Sequence, residues 1–386
     1  MKRKVLGMLL VVSMVGTMLA GCGTKTSNEA QTTGDAGVAT SDKEEVASDE
    51  ATTENATSGS AKKFKVGFAQ KTLENEFQTA LADGVKKAGE AKGWEVTVLD
   101  AKNDIINEQT NMETFISQDY DLIYINVVDT EAATASIEAA VDAGIPVIAI
   151  DSHVEDGAPV VTRISAPDRE NGRAVGLYAA TQYDKKDKIK AAVLSGNKGN
   201  PGGKDRRVGE FCGIIEGRTG CTEEEAWKLA ETFEQDLTDN GKAVNEDANF
   251  EIVAQGWGNW TTDEGLPAME DILVANGDIN CLLGENDSML IGGMQAIEDA
   301  GKTDQIQIFA AADAMKGALE LIKEGGCYKA TGLNNPTAVG EKAIEVGGEI
   351  LEDGKDPSSY EATVTTEPIC VNADNVANYY NPDSIF

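Results

Sequence analysis

The sequence predicts an α/β protein built as two doubly wound lobes of parallel sheet. Strand-like and helix-like stretches alternate along residues 61–386, which is the pattern of parallel strands joined by crossover helices. That span is longer than one hydrophobic core usually serves, so two lobes are expected. The segments that follow the predicted strands are rich in amides, carboxylates and aromatic rings. Because ligands bind beyond the carboxyl ends of parallel strands, these segments predict a polar cleft.

The first series of elements forms the first predicted lobe. Between two β-rich runs, residues 76–92 repeat apolar side chains at helical spacing, beginning with Phe77 and Leu81, which predicts a strand, helix and strand unit. Gly144 and Pro146 mark the turn into the last strand. In chain order the predicted elements are strand 64–69, helix 76–92, strand 94–99, helix 108–117, strand 122–127, helix 130–143 and strand 145–150.

The second series begins at Asp168 and is longer. Its predicted elements are helix 168–182, strand 189–194, helix 204–215, strand 252–255, helix 263–275, strand 279–283, helix 289–300, strand 306–310, helix 314–323, strand 328–333 and helix 337–351. An additional helical pattern over residues 223–236 lies inside the segment 217–249. This segment either extends the lip of the cleft or is a surface insertion without ligand contact, and the second interpretation is slightly favoured.

The first 60 residues predict an export signal followed by a tether. Lys2, Arg3 and Lys4 precede a short apolar run, which is the layout of a signal peptide over residues 1–21. The stretch Leu19-Ala20-Gly21-Cys22 resembles a bacterial lipobox, which implies a diacylglycerol on Cys22. The alternative is an ordinary cleaved signal with a chance cysteine. Residues 22–60 hold no aromatic residue and cannot bury enough apolar surface to fold, so they predict a disordered acidic tether.

Composition narrows the classes of partner and reaction. A formal net charge of −33 repels nucleic acid, so no nucleic-acid partner is expected. His153 is the only histidine, and no G-x-S-x-G motif is present, so nothing points to Ser-His-Asp catalysis. The prediction is a protein that is not an enzyme, with no catalytic residue, cofactor or metal site.

Two local patterns leave alternatives open. Cys212 and Cys221 are close enough in sequence to close a short disulfide loop, and the alternative is that they are buried free thiols. Residues 236–247 imitate a calcium loop, whereas a helix end followed by a polar turn is the favoured interpretation.

Polar and aromatic side chains follow most of the predicted strands. Each hydroxyl of a polyol both donates and accepts hydrogen bonds, so carboxylates and amides suit such a ligand, and an apolar sugar face packs on an aromatic ring. Helix capping is the alternative role for Asn75 and Asp151, and core packing is the alternative for Trp260. The candidate ligand-binding residues are Asn75, Phe77, Asp151, Ser152, Arg207, Trp260, Asn286, Asp313 and Asn334.

Several of these motifs resemble the periplasmic sugar-binding proteins of the ribose, galactose and xylose type, from about Lys63 onward. The motifs are Thr72-Leu73-Glu74-Asn75-Glu76-Phe77, Gly144-Ile145-Pro146-Val147-Ile148-Ala149-Ile150-Asp151, Arg207-Val208-Gly209 and Gly284-Glu285-Asn286-Asp287-Ser288-Met289. Gln78, Ser152 and Asn334 stand where the family often has an aromatic residue, an arginine and a glutamine. Arg206 beside Arg207 leaves the choice of arginine open.

The resemblance implies a type I periplasmic binding fold with a three-segment hinge, crossing near Ala166, Asn334 and Thr363. The first lobe would comprise residues 61–166 plus 335–363, and the second would comprise residues 167–334 plus 364–386. Asn75, Phe77, Asp151 and Ser152 would bind the ligand from the first lobe, and the remaining candidates would bind it from the second.

The predicted function is that of an extracytoplasmic, lipid-anchored and monomeric protein. It would capture a monosaccharide or related polyol between its lobes and deliver it to the permease of an ABC transporter. One alternative is a sensor that presents its ligand to a membrane receptor or kinase. A binder of a non-sugar solute and an exported hydrolase with a carboxylate pair are the others.

Overall fold

The computed structural model describes residues 63–386, which contain two sheets of largely parallel strands. The predicted signal peptide, Cys22 and the tether over residues 22–60 lie outside the described residues. The strands are β1 (Lys65–Gln70), β2 (Glu95–Asp100), β3 (Leu122–Asn126), β4 (Val147–Ile150), β5 (Arg163–Ser165), β6 (Ile189–Ser195), β7 (Ala243–Asn245), β8 (Phe250–Trp257), β9 (Cys281–Gly284), β10 (Gln307–Asp313), β11 (Tyr328–Leu333), β12 (Thr363–Thr365) and β13 (Cys370–Asn372).

The helices alternate with these strands as expected. They are α1 (Glu76–Ala91), α2 (Ile105–Ser117), α3 (Thr134–Asp142), α4 (Asp168–Thr181), α5 (Pro201–Thr219), α6 (Glu223–Asn240), α7 (Thr262–Ala275), α8 (Asp287–Asp299), α9 (Lys316–Glu324) and α10 (Pro336–Leu351). The predicted α/β fold with parallel sheets is confirmed. Four short strands, β5, β7, β12 and β13, were not predicted from the sequence.

The first sheet has the strand order β12-β5-β4-β3-β1-β2, and all its pairs are parallel. The second has the order β13-β11-β10-β9-β6-β8-β7, with antiparallel pairing only of the two edge strands β13 and β7 among the described residues. Each sheet is covered on both faces, because two hydrophobic clusters are associated with each. We call the first sheet with its helices lobe 1 and the second lobe 2.

The chain passes between the two sheets at three places. It leaves β5 of lobe 1 for α4, which packs on α5 and on β10 and β11 of lobe 2. It returns after β11 through residues 334–335, since α10 packs against α1. Thr363 lies within β12 of the first sheet, so the third passage follows it at residues 366–369.

The α4 and α5 helices pack with their backbones in close approach. A Cβ atom at Gly176 would lie 2.2 Å from the Glu210 carbonyl oxygen, and one at Gly213 would lie 2.1 Å from the Arg173 carbonyl oxygen. Only glycine fits such a contact without moving a helix. The contact fixes how α5 is turned about its axis, and therefore which side chains α5 directs toward the cleft.

The segment 217–249 folds as α6 followed by the short strand β7. The α6 helix begins at the Thr222 cap and ends at Gly241, which has a left-handed backbone with φ +69°. The calcium-like stretch 236–247 is therefore a helix end followed by a strand, which agrees with the favoured interpretation. Cys212 and Cys221 are free in the structure, as are the other cysteines of the described residues.

Candidate functional site

Polar residues of the two lobes face each other beyond the carboxyl ends of the parallel strands. His153, in the loop after β4, places its Nε2 atom 3.9 Å from an Oδ2 atom of Asp205 on α5. These residues belong to different lobes, so the two strand-end edges are in contact. The candidate site is the cleft between these edges.

Asp151 is the centre of the polar group in lobe 1. It follows β4 directly and has a left-handed backbone, with φ +64°. Its Oδ2 atom accepts hydrogen bonds from Lys71 Nζ at 3.3 Å, from Gln78 Nε2 at 3.3 Å and from Asn126 Nδ2 at 3.4 Å. Its side chain is 20% exposed. The carboxylate is therefore oriented by one cation and two amides, yet it remains accessible.

Electrostatics keep Asp151 ionised. Burial alone would raise the pKa of this carboxyl, but the Lys71 ammonium and the hydrogen bond from Gln78 outweigh burial. The Arg206 guanidinium of lobe 2 acts in the same direction. The pKa of Asp151 is consequently lowered, and Asp151 acts as a hydrogen-bond acceptor at neutral pH.

Ser152 belongs to the same group. Its Oγ atom accepts a hydrogen bond from Lys71 Nζ at 2.9 Å, and its N–H donates to Asn126 Oδ1 at 3.3 Å. Lys71 thus links the two adjacent candidate residues.

Asn75 and Phe77 have other partners in this structure. Asn75 is exposed and caps α1, since its Oδ1 atom accepts from Gln78 N–H at 2.9 Å, which is the alternative role expected for it. The Phe77 ring packs edge-to-face on Phe386 with 5.3 Å between ring centroids. Contact of either residue with a ligand stays a prediction.

Asp313 is the centre of the polar group in lobe 2. It ends β10, and its Oδ1 atom accepts from Arg206 Nη1 at 3.2 Å and from Asn334 Nδ2 at 3.1 Å. Asp313 and Asn334 are both buried. The arrangement repeats that of lobe 1, because each strand-end aspartate is held by one cation and at least one amide.

Arg206 is itself held from three sides. Its Nε atom donates to Asp168 Oδ1 at 2.8 Å and its Nη1 atom donates to the Glu285 carbonyl oxygen at 3.0 Å. Its guanidinium lies over the Trp260 ring at 5.6 Å from the centroid. The side chain is 11% exposed, so Arg206 is a nearly buried and well-oriented cation at the cleft.

Contact of Arg207 with a ligand stays a prediction, but its partners in this structure are carboxylates. Arg207 forms ion pairs with Glu234 of α6 and with Glu285, and all three side chains are buried. Successive residues on a helix point about 100° apart, so Arg206 and Arg207 cannot face the same side. Arg207 links α5 to α6 and to the end of β9, and Arg206 is the arginine beside Asp313.

Trp260 and Asn286 support each other in lobe 2. The Trp260 backbone is left-handed, with φ +66°, and a Cβ atom at Gly196 would lie 2.0 Å from its ring. The indole therefore covers the glycine backbone at the end of β6. Asn286 caps α8 by accepting from Met289 N–H at 3.1 Å, and its side chain donates to the Trp260 carbonyl oxygen at 3.4 Å. In this structure Asn286 thus acts as a helix cap.

Asp287 is a buried residue that the sequence placed in a family-like motif but that was not selected as a candidate. Its carboxylate accepts from the N–H groups of Asp313 and Met315 at 3.1 and 2.9 Å, and from Tyr328 Oη at 2.6 Å. Burial and the nearby Asp313 charge raise the pKa of Asp287 to about 7. Asp287 holds the loop that presents Asp313, so it is a positioning residue for the site.

Lys71 and Asn126 were missed as residues of the site, whereas Gln78 was noted only as a departure from the family and Arg206 only as the alternative to Arg207. Lys71 follows the last residue of β1, so the rule that selected residues after strands could have found it. Asn126 ends β3, whereas the predicted strand extended one residue further and hid it. Among residues 63–386, no group of three or more potential ligand side chains is arranged to hold a metal ion. Within the same range, no helix combines the length and apolar character that a membrane span requires.

Comparisons with known proteins give a consistent result. The family model described as periplasmic binding protein domain matches residues 66–356. The ribose import binding protein RbsB of Bacillus subtilis is 27% identical over 310 residues, covering 80% of this chain and 89% of the relative. The D-ribose/D-allose-binding protein of Pseudomonas aeruginosa is 26% identical over 272 residues, covering 68% of this chain and 75% of the relative.

A solved structure matches most of this chain. It is an ABC transporter solute binding protein from Mycobacterium smegmatis with bound glycerol, 26% identical, with a TM-score of 0.66. The match covers 84% of this chain and 99% of that chain.

Proposed function

Because the chain belongs to the periplasmic binding protein family, we propose that it captures a monosaccharide or related polyol between its two lobes and delivers it to the permease of an ABC transporter. The observation that carries this proposal is the pair of facing strand-end aspartates, Asp151 and Asp313, each held by a cation and an amide. Two relatives that match most of this chain are named as a ribose import binding protein and a D-ribose/D-allose-binding protein.

The chemistry of the cleft suits a neutral ligand with several hydroxyl groups. Asp151 and Asp313 accept hydrogen bonds, whereas Lys71 and Arg206 only donate them. A hydroxyl between such a pair can donate to the carboxylate and accept from the cation at the same time. Each cation also has a carboxylate partner, so the ligand need not supply a compensating charge. An apolar sugar face would pack on the Trp260 ring.

Binding residues from both lobes make closure depend on the ligand. In this proposal Asn75, Phe77, Asp151 and Ser152 contribute from lobe 1. Trp260, Asn286, Asp313 and Asn334 contribute from lobe 2, with Arg206 in place of Arg207. A ligand that contacts both lobes stabilises the closed form, because those contacts are lost when the lobes separate. The permease would then recognise the closed form.

The family implies an extracytoplasmic location, and we propose that the protein is held at the extracytoplasmic face of the cell membrane. Cys22 would carry the lipid anchor, and the acidic tether over residues 22–60 would leave the two lobes free to reorient. Such tethering raises the effective concentration at a membrane partner without any new contact. We also propose that the protein acts as a monomer and catalyses no reaction.

A thermal-shift screen followed by isothermal titration calorimetry tests the proposal. Ribose, allose, myo-inositol and glycerol are the first probes, and at least one monosaccharide or polyol is expected to raise the melting temperature and bind at a ratio of one to one. Asp151→Asn and Asp313→Asn should each weaken binding by about tenfold or more. The matched control is Asp271→Asn, an exposed aspartate of α7, which should bind like the wild type. If another solute class binds and no sugar or polyol does, the proposal is wrong.

A further inference from the structure

Residues 380–386, which we call the strap, run along lobe 2 and end beside lobe 1. The strap begins on α9 of lobe 2, where Tyr380 donates a hydrogen bond from its hydroxyl to Glu320 Oε1 at 2.8 Å. Lys323 Nζ lies over the same ring, 4.4 Å from its centroid. The start of the strap is therefore fixed to lobe 2 by two side chains of one helix.

The rest of the strap is folded into a hydrogen-bonded turn. Lys316, the first residue of α9, donates from Nζ to the Pro382 carbonyl oxygen. Ser384 N–H donates to the Asn381 carbonyl oxygen at 3.1 Å, and Phe386 N–H donates to Ser384 Oγ at 3.3 Å. The backbone therefore holds Phe386 in a defined position relative to α9.

Phe386 contacts the opposite lobe. Its ring meets the Phe77 ring edge-to-face, with centroids 5.3 Å apart and planes at 83°, a favoured geometry for aromatic pairs. Phe77 lies in the first turn of α1 and packs against the lobe 1 core. It directly precedes Gln78, whose side chain reaches Asp151 at 3.3 Å. The aromatic contact thus joins the lobes beside the candidate site.

The contact lies away from two of the three hinge segments. Phe77 follows β1, which is three strands from β5 in the first sheet, and two of the three passages between the lobes follow β5 and β12. A rotation about the hinge would move Phe77 with lobe 1 and Phe386 with α9. Opening of the cleft would therefore separate the two rings.

We infer that Phe386 is a positioning residue for ligand capture, which stabilises the closed form by packing on Phe77 across the cleft. The inference rests on the proposed function, because it assigns the contact a role in retaining the captured sugar. A contact made only in the closed form slows opening, so it lowers the dissociation rate of the ligand more than it changes the association rate.

Stopped-flow dissociation of the bound sugar tests this inference with Phe386→Ala, Phe386→Tyr and the control Ile385→Ala, an exposed neighbour in the strap. Phe386→Ala is expected to raise the dissociation rate about threefold to tenfold and to leave the melting temperature of the ligand-free protein unchanged. Phe386→Tyr should restore the slow rate, and Ile385→Ala should behave like the wild type. In a Phe77→Ala background, Phe386→Ala should add nothing, because the partner ring is gone.

An unchanged dissociation rate in Phe386→Ala, or the same increase in the Phe77→Ala background, would overturn the inference. If the wild type binds no sugar, the proposed function fails and small-angle X-ray scattering of the ligand-free protein decides the role of the strap. A larger radius of gyration in Phe386→Ala than in the wild type supports it, and identical scattering overturns it.

Discussion

Each lobe pairs a strand-end aspartate with a cation, but the cation of lobe 2 is more buried and has more hydrogen-bond partners. In lobe 1 the strand-end carboxylate Asp151 is paired with Lys71, whose side chain is 24% exposed. In lobe 2 the carboxylate Asp313 is paired with Arg206, which is 11% exposed and is also held by Asp168 and the Glu285 carbonyl oxygen. A lysine is a mobile point charge, whereas an arginine is a planar fork. We therefore expect lobe 2 to be the more rigid half of the site and lobe 1 the more adaptable half.

The residues that hold these two aspartate–cation pairs in place also differ, because those of lobe 2 are charged and those of lobe 1 are amides. Next to Asp313, the buried carboxyl of Asp287 accepts three hydrogen bonds, one of them from the Asp313 N–H. Next to Arg206 on α5, Arg207 forms buried ion pairs with Glu234 and Glu285. In lobe 1, Asp151 is instead supported by the amides of Gln78 and Asn126, which also bond to each other. Replacing a charged residue that holds the site should therefore lower ligand affinity or stability more in lobe 2 than a comparable replacement in lobe 1.

The largest effect on folding is expected from Arg207→Met. This change leaves Glu234 and Glu285 buried without their cation, which costs about 3–5 kcal/mol for a broken buried pair. Urea denaturation should detect that loss in the free energy of unfolding. Ligand affinity of the folded variant should stay within about threefold of the wild type, because Arg207 does not face the cleft. An unchanged free energy of unfolding would mean that the buried ion pairs do not stabilise the packing of α6 on α5.

Arg206→Met should have the largest effect on binding. It removes the charged donor to Asp313 and leaves Asp168 and Asp313 without a cation, so affinity is expected to fall about 100-fold or more. Calorimetry with the sugar found in the screen measures this loss. Arg207→Met is the matched control, since it deletes a guanidinium one residue away. A larger loss of affinity in Arg207→Met than in Arg206→Met would restore the original choice of arginine.

Asp287→Asn should change how stability depends on pH. The pKa of Asp287 in the folded protein is raised to about 7, so between pH 4 and 7 the folded state binds more protons at this group than the unfolded state does. Stability from this group is therefore lost as pH rises toward 7. Asparagine cannot ionise, so the variant does not lose this stability. Its free energy of unfolding relative to that of the wild type should rise by about 2 kcal/mol between pH 5 and pH 7. Denaturation at both pH values measures the difference, and a pH-independent difference would contradict it.

Lys71→Met should have the smallest effect in this series. Asp151 keeps its hydrogen bonds from Gln78 and Asn126, so affinity is expected to fall only about tenfold, or about 1.4 kcal/mol. Calorimetry under the conditions used for Arg206→Met gives a direct comparison of the two lobes. A loss for Lys71→Met that exceeds the loss for Arg206→Met would reverse the proposed order of rigidity.

Local sequence pattern was sufficient to predict the fold and to select the two strand-end aspartates. Asp151 and Asp313 could be selected because each comes where an apolar strand ends, and that position is visible in the sequence. The short strands β5, β12 and β13 could not, since three residues carry no periodicity and the strands exist only through pairing with distant segments. Because β12 and β13 were not predicted, the third crossing was expected near Thr363, and in the structure it lies between these two strands, at residues 366–369.

The choice between adjacent arginines required the tertiary structure. Arg206 and Arg207 have the same chemistry and lie one position apart on α5. Which one reaches Asp313 depends on how α5 is turned against α4, and that is set by glycine contacts such as Gly176 on the Glu210 carbonyl oxygen. The packing of Phe386 on Phe77 was equally invisible, because it joins residues at opposite ends of the described chain.

The most direct test of the account is a crystal structure of the protein with the sugar or polyol that stabilises it most. We expect the ligand between the lobes, with hydroxyl oxygens about 3 Å or less from the carboxylates of both Asp151 and Asp313, and with Arg206 rather than Arg207 in contact with it. A ligand bound outside the cleft, or bound to one lobe without contact to the other, would contradict the account.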